Sequence, residues 1–322
     1  MNNTVVILHN RLPAQPTPDE QDVMDQVYLV HKALEALGYR CQVLDVGNNL
    51  YEDLQHVAAL KPAFVFNLVE SVFGSTGLLH MVPSILEAWK IPYTGVSEEG
   101  LYLTTRKVLA KQIMRSHGIA TPDWFPVGST AFLHNQKKYI VKPLSEEGSA
   151  GLDEHHVFDS LSTGVQDWLG SFNANEFFVE EYIEGREFNL SVTGSPDCYN
   201  LYPIPEMIFS GYPPGKPRVL GYRSKWKEDS FEYTHTFREF GTLDHTPELY
   251  TALQETAMAC AKLFRLSGYF RVDIRMGENN IPQVLEINGN PCISPDSGFI
   301  AAGRQAGYSI NQIIAQITAH LN

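Results

Sequence analysis

Two short runs near the C-terminal end, Arg271-Val272-Asp273 and Leu285-Glu286-Ile287-Asn288, concentrate residue types that could do chemistry. In a strand, residues two apart point to the same face. Arg271 and Asp273 therefore share a face of one strand, and Glu286 and Asn288 share a face of the next. The intervening Gly277-Glu278-Asn279-Asn280 has loop chemistry and suits a hairpin connection. If the strands pair, a guanidinium, two carboxylates and an amide oxygen meet on one patch. Oxygen-only ligands with a carboxylate pair suit Mg²⁺ that also holds phosphate oxygens. Taken alone, the same residues more often describe a hairpin whose polar face is merely solvated.

A second set lies upstream. Lys142 sits in the apolar run Tyr139-Ile140-Val141-Lys142-Pro143, where an ammonium needs an anion or a route to solvent. Six residues on, Gly148-Ser149-Ala150-Gly151 could present backbone N–H groups to an anion, although most such loops are only turns. Lysine strand and glycine loop together resemble a lid over a polyphosphate. Glu180-Glu181-Tyr182-Ile183 sets two acids beside an apolar run where a base could stack, and Glu187 could hold a ribose. Alone, these acids would be surface residues at a strand end. Neither G-x-G-x-x-G after the first strand nor G-x-x-x-x-G-K-[ST] is present, so neither a dinucleotide fold nor a P-loop accounts for the pattern.

These residues need elements to position them. Val5–Leu8, Cys41–Val46 and Ala63–Leu68 read as apolar strands, with a helix from about Asp19 to Leu37 between the first two, ended by Gly38. Strand–helix–strand order predicts a small parallel α/β domain. A helix rich in Lys and Arg follows from about Thr105 to His117, then a middle unit closing on the strand Phe177–Ile183. Beyond Gly185 come longer strands, a long helix (Pro247–Leu266), the hairpin and a terminal helix from about Ser309. The expected division is an N-terminal domain over 1–96, a central lid domain over 97–183 and a C-terminal catalytic domain over 184–322.

The 322 residues suit two or three domains, and 43% hydrophobic with 19% charged residues describe an ordinary globular protein. A net charge of −13 argues against nucleic acid as partner. Cys41, Cys198, Cys260 and Cys292 lack metal-type spacing and read as reduced thiols of a cytoplasmic protein. The N-terminus reads as a strand rather than a signal peptide, and no apolar run approaches the roughly 18 residues of a membrane span. The histidines form no H-E-x-x-H or H-x-x-x-H pattern, which disfavours a zinc hydrolase.

In combined order, the motifs resemble those of ATP-grasp enzymes, and among them the D-alanine–D-alanine ligase family. The resemblance runs from about Ala63 to Asn322. It covers Phe66-Asn67 with Gly74 and Gly77, then Ile91-Pro92-Tyr93-Thr94-Gly95 and Arg106-Lys107 through Pro122. Val141-Lys142-Pro143, Glu180–Ile183, Arg271-Val272-Asp273, Glu286-Ile287-Asn288 and Gly303–Gly307 complete it. It implies an α/β (α+β) ATP-grasp fold: a parallel N-terminal domain, a central lid and a C-terminal catalytic domain. It also implies ATP, two Mg²⁺ (Mn²⁺ as alternative), carboxylate and amine substrates that are amino acids, and a homodimer. Lys107 and Lys142 would contact the phosphates, Lys142 also lying near the adenine. Gly148 and Ser149 fall in the family's paired-serine loop. Glu180, with its neighbour Glu181, and the backbone of Ile183 would flank the adenine, and Glu187 would hold the ribose. Lys225 would close over the phosphates, and Asp273, Glu286 and Asn288 would ligate the metal. Arg271 and the backbone N–H of Cys292 would stabilise the oxyanion, and Ser297 would bind the second amino acid's carboxylate.

The match breaks at the amino-acid sites. His9-Asn10-Arg11-Leu12-Pro13 replaces the family's Gly-Gly-x-Ser-x-Glu-Arg, removing the acid that grips the first substrate's ammonium. Glu70 stands in the place of a histidine and could hold that ammonium instead. Trp226 replaces Tyr or His, Gly148 replaces a serine, and Pro291-Cys292 replaces Pro-Gly. The expected reaction is amide formation through an acyl phosphate with substrates other than a D-alanine pair. A true D-alanine–D-alanine ligase, an ATP-grasp enzyme with a non-amino-acid acceptor and a catalytically silent nucleotide-binding regulator are the alternatives.

Overall fold

The computed structural model describes residues 3–133, 136–145, 151–277 and 280–322. Strand β1 (Thr4–Asn10) leads into α1 (Pro18–Ala36), then β2 (Arg40–Val46), α2 (Leu50–Ala59) and β3 (Phe64–Leu68). The three strands form a parallel sheet with β1 central, as strand–helix–strand order requires. Thr17 and Glu20 make a capping box at the start of α1, and Pro18 sits where its missing N–H costs nothing. Val23, Val27, Val30 and Leu34 form the stripe that α1 buries.

Three helices follow: α3 (Met81–Ala88), α4 (Glu98–Thr105) and α5 (Lys107–Ser116). The helix expected from Thr105 is interrupted at Arg106, whose φ −87°, ψ 87° is not helical. The middle unit comprises β4 (Trp124–Pro126), β5 (Lys138–Pro143), β6 (Val157–Asp159), α6 (Val165–Leu169) and β7 (Phe177–Glu181). Its antiparallel sheet runs β4-β7-β5-β6. Strand β7 stops at Glu181, short of the expected Ile183.

The remaining elements are β8 (Glu187–Ser195), β9 (Cys198–Leu201), β10 (Glu206–Phe209), α7 (Tyr222–Trp226), α8 (Phe231–His235), β11 (Thr236–Glu239) and α9 (Pro247–Leu263). They end with β12 (Gly268–Met276), β13 (Pro282–Asn288), α10 (Gly298–Gln305) and α11 (Ile310–Thr318). The six-stranded antiparallel sheet is ordered β11-β10-β8-β12-β13, with β9 beside β8.

The packing divides unevenly. Val6 and Leu8 of the first sheet share a core with Leu190, Phe270 and Val272 of the third. Phe132, Tyr139, Val141 and Val179 of the middle sheet form a separate cluster. The first and third sheets are thus welded by buried apolar surface, while the middle sheet carries its own core.

Candidate active site

The hairpin places its chemistry by register. Arg271 lies opposite Asn288, and Asp273 opposite Glu286. The register then shifts, Ile274 pairing with Val284, so Leu285 is the extra residue of a β-bulge. The bulge resolves a conflict of parity. Val284 and Ile287, three apart, both enter the same core, while Glu286 and Asn288 face a cavity of about 1130 Å³. That cavity also receives Glu70 from the first sheet's end, Lys142 and Glu180 from the middle sheet, and Lys225 from α7.

Asp273 is held by three side chains through four hydrogen bonds. Arg271 Nε and Nη2 donate to its Oδ1 at 2.7 Å and Oδ2 at 2.8 Å, Asn189 Nδ2 to Oδ1 at 2.8 Å, and Asn288 Nδ2 to Oδ2 at 3.0 Å. Glu286 has Lys107 Nζ at 3.3 Å. Burial alone would raise the Glu286 carboxyl, but Lys107, Lys142, Lys225 and Arg271 outweigh it and lower it to about 2. Among the described residues no group of three His, Cys, Asp or Glu is set to hold a metal unaided. Two carboxylates and an amide fit Mg²⁺ only as a partial shell that phosphate oxygens complete. The donor set therefore suits a nucleotide-borne divalent ion.

Glu180 is a buried counter-ion. Lys142 Nζ lies 2.8 Å from its Oε1 and Lys111 Nζ 2.6 Å from its Oε2, the latter a charge contact without hydrogen-bond alignment. Burial would raise Glu180, yet the two lysines hold it low. Burial drives fully enclosed Lys111 down to about 8 against the pull of Glu180. Lys111 also donates to Thr121 Oγ1 at 2.8 Å, which donates to Val284 O at 2.8 Å, tying α5 to β13. Sequence reasoning missed Lys111. Its signal is the buried stripe Lys107, Ala110, Lys111, Met114, with two lysines at i, i+4 on an otherwise apolar face.

Both Glu180 oxygens thus face lysines, and Glu187 is likewise engaged: Arg275 Nε donates to its Oε2 at 2.8 Å, with both residues buried. Arg275 also reaches Ile183 O at 2.9 Å. It was legible as the third term of the alternation Arg271, Asp273, Arg275. Glu181 pairs with Lys137 at 2.7 Å. Gly148 and Ser149 lie outside the described residues.

Lys225, expected on a closing loop, stands on the short helix α7. Burial and Arg271 lower its ammonium, while Glu286 and Asp273 pull the other way. It has no carboxylate within 4.0 Å among the described residues. The segment is docked: Tyr222 Oη donates to Asp19 Oδ1 at 3.0 Å, and Glu232 takes Lys216 at 2.7 Å and Arg223 at 2.9 Å. Lys216 also reaches Glu154 of the middle unit at 3.0 Å.

On the cavity wall formed by α1 and the segment after β3, buried Gln26 donates to Glu70 Oε1 at 2.8 Å and to Asp22 Oδ2 at 3.3 Å, and accepts from Ile293 N at 3.1 Å. One amide therefore bolts two acids of the cavity wall to the loop after β13. Asp22 and Gln26, four apart on α1, were missed because their helix reads as a plain amphipathic one. The Cys292 thiol donates to Asp22 Oδ2 at 3.1 Å. Burial, then Asp22 and Glu70, push that thiol well above its ordinary range, so it is no nucleophile. Its backbone N–H makes no hydrogen bond with a described residue. Ser297 is the N-cap of α10, accepting from Ile300 N at 3.3 Å.

Residues 113–319 match the family model described as D-ala D-ala ligase C-terminus. The chain is 29% identical to an uncharacterized protein, y4sG, of Sinorhizobium fredii over 311 residues, covering 94% of this chain and 88% of that one. It is 26% identical to a D-alanine–D-alanine ligase of Maridesulfovibrio salexigens over 292 residues, covering 89% of each. A crystal structure of D-alanine–D-alanine ligase from Bacillus anthracis superposes with a TM-score of 0.74 at 21% identity, covering 99% and 97% of the two chains. VanG D-Ala:D-Ser ligase from Enterococcus faecalis superposes at 0.67 with 16% identity, covering 99% of each chain.

Proposed function

Because the chain belongs to the D-alanine–D-alanine ligase family, and is an ATP-grasp ligase forming carbon–nitrogen bonds, we propose that it joins two amino acids other than the D-alanine pair. The supporting observation is the convergence of Glu286, Asp273 and Asn288 with Lys107, Lys142, Lys225 and Arg271 on one cavity. A carboxylate has no leaving group better than oxide, so amide formation in water needs activation. The donor carboxylate attacks the γ-phosphorus of ATP, releasing ADP and forming an acyl phosphate. The acceptor amine then attacks the acyl carbon, and phosphate leaves as the amide forms.

Lys107, Lys142 and Lys225 neutralise phosphate oxygens during transfer, which is catalysis by position and charge. Asp273, Glu286 and Asn288 would hold a divalent ion, which would supply Lewis-acid charge at the phosphates. Arg271, oriented by its two-point grip on Asp273, and the Cys292 N–H face the oxyanion of the tetrahedral intermediate. Glu70, just past the end of β3, and Asp22 of α1 supply the negative charge that holds an ammonium, in place of the acid missing from His9-Asn10-Arg11-Leu12-Pro13. Within the 1–96, 97–183 and 184–322 division, the separate core of the middle sheet supports its reading as a lid, while Leu101, Ala110 and Met114 of 97–183 pack with the first and third sheets. A cytoplasmic homodimer completes the proposal; no helix is long and apolar enough to cross a membrane among the described residues.

A pairwise screen of D- and L-amino acids with ATP and Mg²⁺, reading phosphate release and product mass, tests this. Products from pairs other than D-alanine with D-alanine support the reading. Activity confined to D-alanine overturns the substrate assignment and favours a cell-wall ligase, the activity named for relatives such as that of Maridesulfovibrio salexigens.

A further inference from the structure

Of the basic side chains on the cavity wall, most are already spoken for. Arg11 pairs with Asp45, Lys107 with Glu286, Lys142 with Glu180, Arg271 with Asp273 and Arg275 with Glu187. Two remain. Lys225 faces the carboxylates of the hairpin and is assigned above to the phosphates. Arg238 has no such task and forms no ion pair with a described residue.

Arg238 sits on β11, the edge strand of the third sheet, paired only through β10 opposite Met207. Its guanidinium packs against the start of α10: a β-carbon built on Gly298 would lie 3.6 Å from Arg238 Nε. The neighbouring residue is Ser297, the α10 N-cap, whose oxygen accepts from the helix and whose hydroxyl proton remains available to an acceptor. Arg238 is an exposed residue of its strand; partial enclosure of its guanidinium and Arg271 act against its charge, while Asp296 attracts it from beyond 4.0 Å. Two guanidiniums and an ammonium thus surround a space in which the hairpin acids answer only part of the charge.

We propose that Arg238 is the counter-ion for a carboxylate on the acceptor amine and is the residue that restricts the second substrate to amino carboxylates. The inference rests on the ligase reading above. A guanidinium offers paired N–H donors in the geometry of a carboxylate, and the α10 N-terminus with Ser297 presents further donors on the same side. Arg238 lies on the exposed run of β11, so an acceptor lacking the carboxylate forfeits a charge-assisted pair rather than stranding a buried charge, and amino acids are favoured over simple amines and amino-acid amides.

The test uses the full chain with ATP, Mg²⁺ and the donor amino acid found by the screen. Two nucleophiles are compared: an amino acid with its own carboxamide, and hydroxylamine, which traps an acyl phosphate as the hydroxamate without needing an acceptor carboxylate. Arg238→Gln is expected to raise the KM of the amino-acid acceptor about 10- to 100-fold, the loss of a charge-assisted hydrogen-bond pair, with kcat little changed. Its preference for acid over carboxamide should vanish, while hydroxamate formation stays within about twofold of the parent. Arg238→Lys should restore part of the acceptor affinity, which separates lost charge from lost folding. An unchanged acceptor KM in Arg238→Gln overturns the assignment, as does an equal fall in hydroxamate and amide formation. Absence of hydroxamate from the parent protein with every donor refutes the ligase reading itself and this inference with it.

Discussion

Among the described residues each buried Lys, Arg, Asp and Glu has an ion-pair partner, whereas half-buried Lys225 has no carboxylate within 4.0 Å. Glu180 answers both Lys111 and Lys142, and Glu286 is held ionised by the cations around it. Breaking a buried pair is costlier than never making one, because it strands the remaining charge. Lys111→Ala should therefore destabilise the fold by about 3–5 kcal/mol in urea unfolding. A change below about 1 kcal/mol would mean that Lys142 alone satisfies Glu180. Glu286→Ala should abolish ATP-dependent turnover while leaving a folded protein by circular dichroism. Full activity in that variant would remove the hairpin from the nucleotide site.

Elements act here through latches. The α7–α8 segment that carries Lys225 is fastened by Glu232, whose partners Lys216 and Arg223 hold it close, and by Lys216 bridging to Glu154. Burial tends to raise Glu232, but Lys216 and then Arg223 overcome it and lower the acid to about 2 from an ordinary 4.5. A carboxyl depressed in the folded state contributes its stability above about pH 4.5 and loses it as pH falls toward about 2. The expected result is faster proteolytic nicking between 213 and 235 in Glu232→Gln than in the parent at neutral pH. That difference should narrow as pH drops from about 4.5 toward about 2, because Glu232 in the opened segment takes up its proton first and the latch loses its stabilisation. A gap that widens on acidification would place the latch elsewhere.

At the scale of the whole molecule, the cavity lies where a middle sheet with its own core meets first and third sheets that share theirs. Ligand bound between such bodies stabilises the assembly by mass action, about 2.7 kcal/mol at a hundredfold excess over Kd. Because the carboxylates form only a partial metal shell, ATP with Mg²⁺ should raise the melting temperature by several degrees, whereas Mg²⁺ alone should leave it unchanged. An equal shift with the metal alone would show a complete protein-built metal site instead.

Local pattern was sufficient for the parts governed by local rules. Strand alternation put Arg271 and Asp273 on one face and Glu286 and Asn288 on another, and the polar turn between them made the hairpin. The order of motifs identified the ligase family from the residue string alone. What sequence could not convey were the partners that meet through space. Lys111 belongs to Glu180, Arg275 to Glu187 and Gln26 to Glu70 across separations no periodicity encodes. The bulge at Leu285 was equally hidden, since its cause is the packing of Val284 and Ile287 into one core rather than any local preference. Backbone periodicity is written residue by residue, whereas the pairing of buried charges is decided only when distant elements exclude water from the same space.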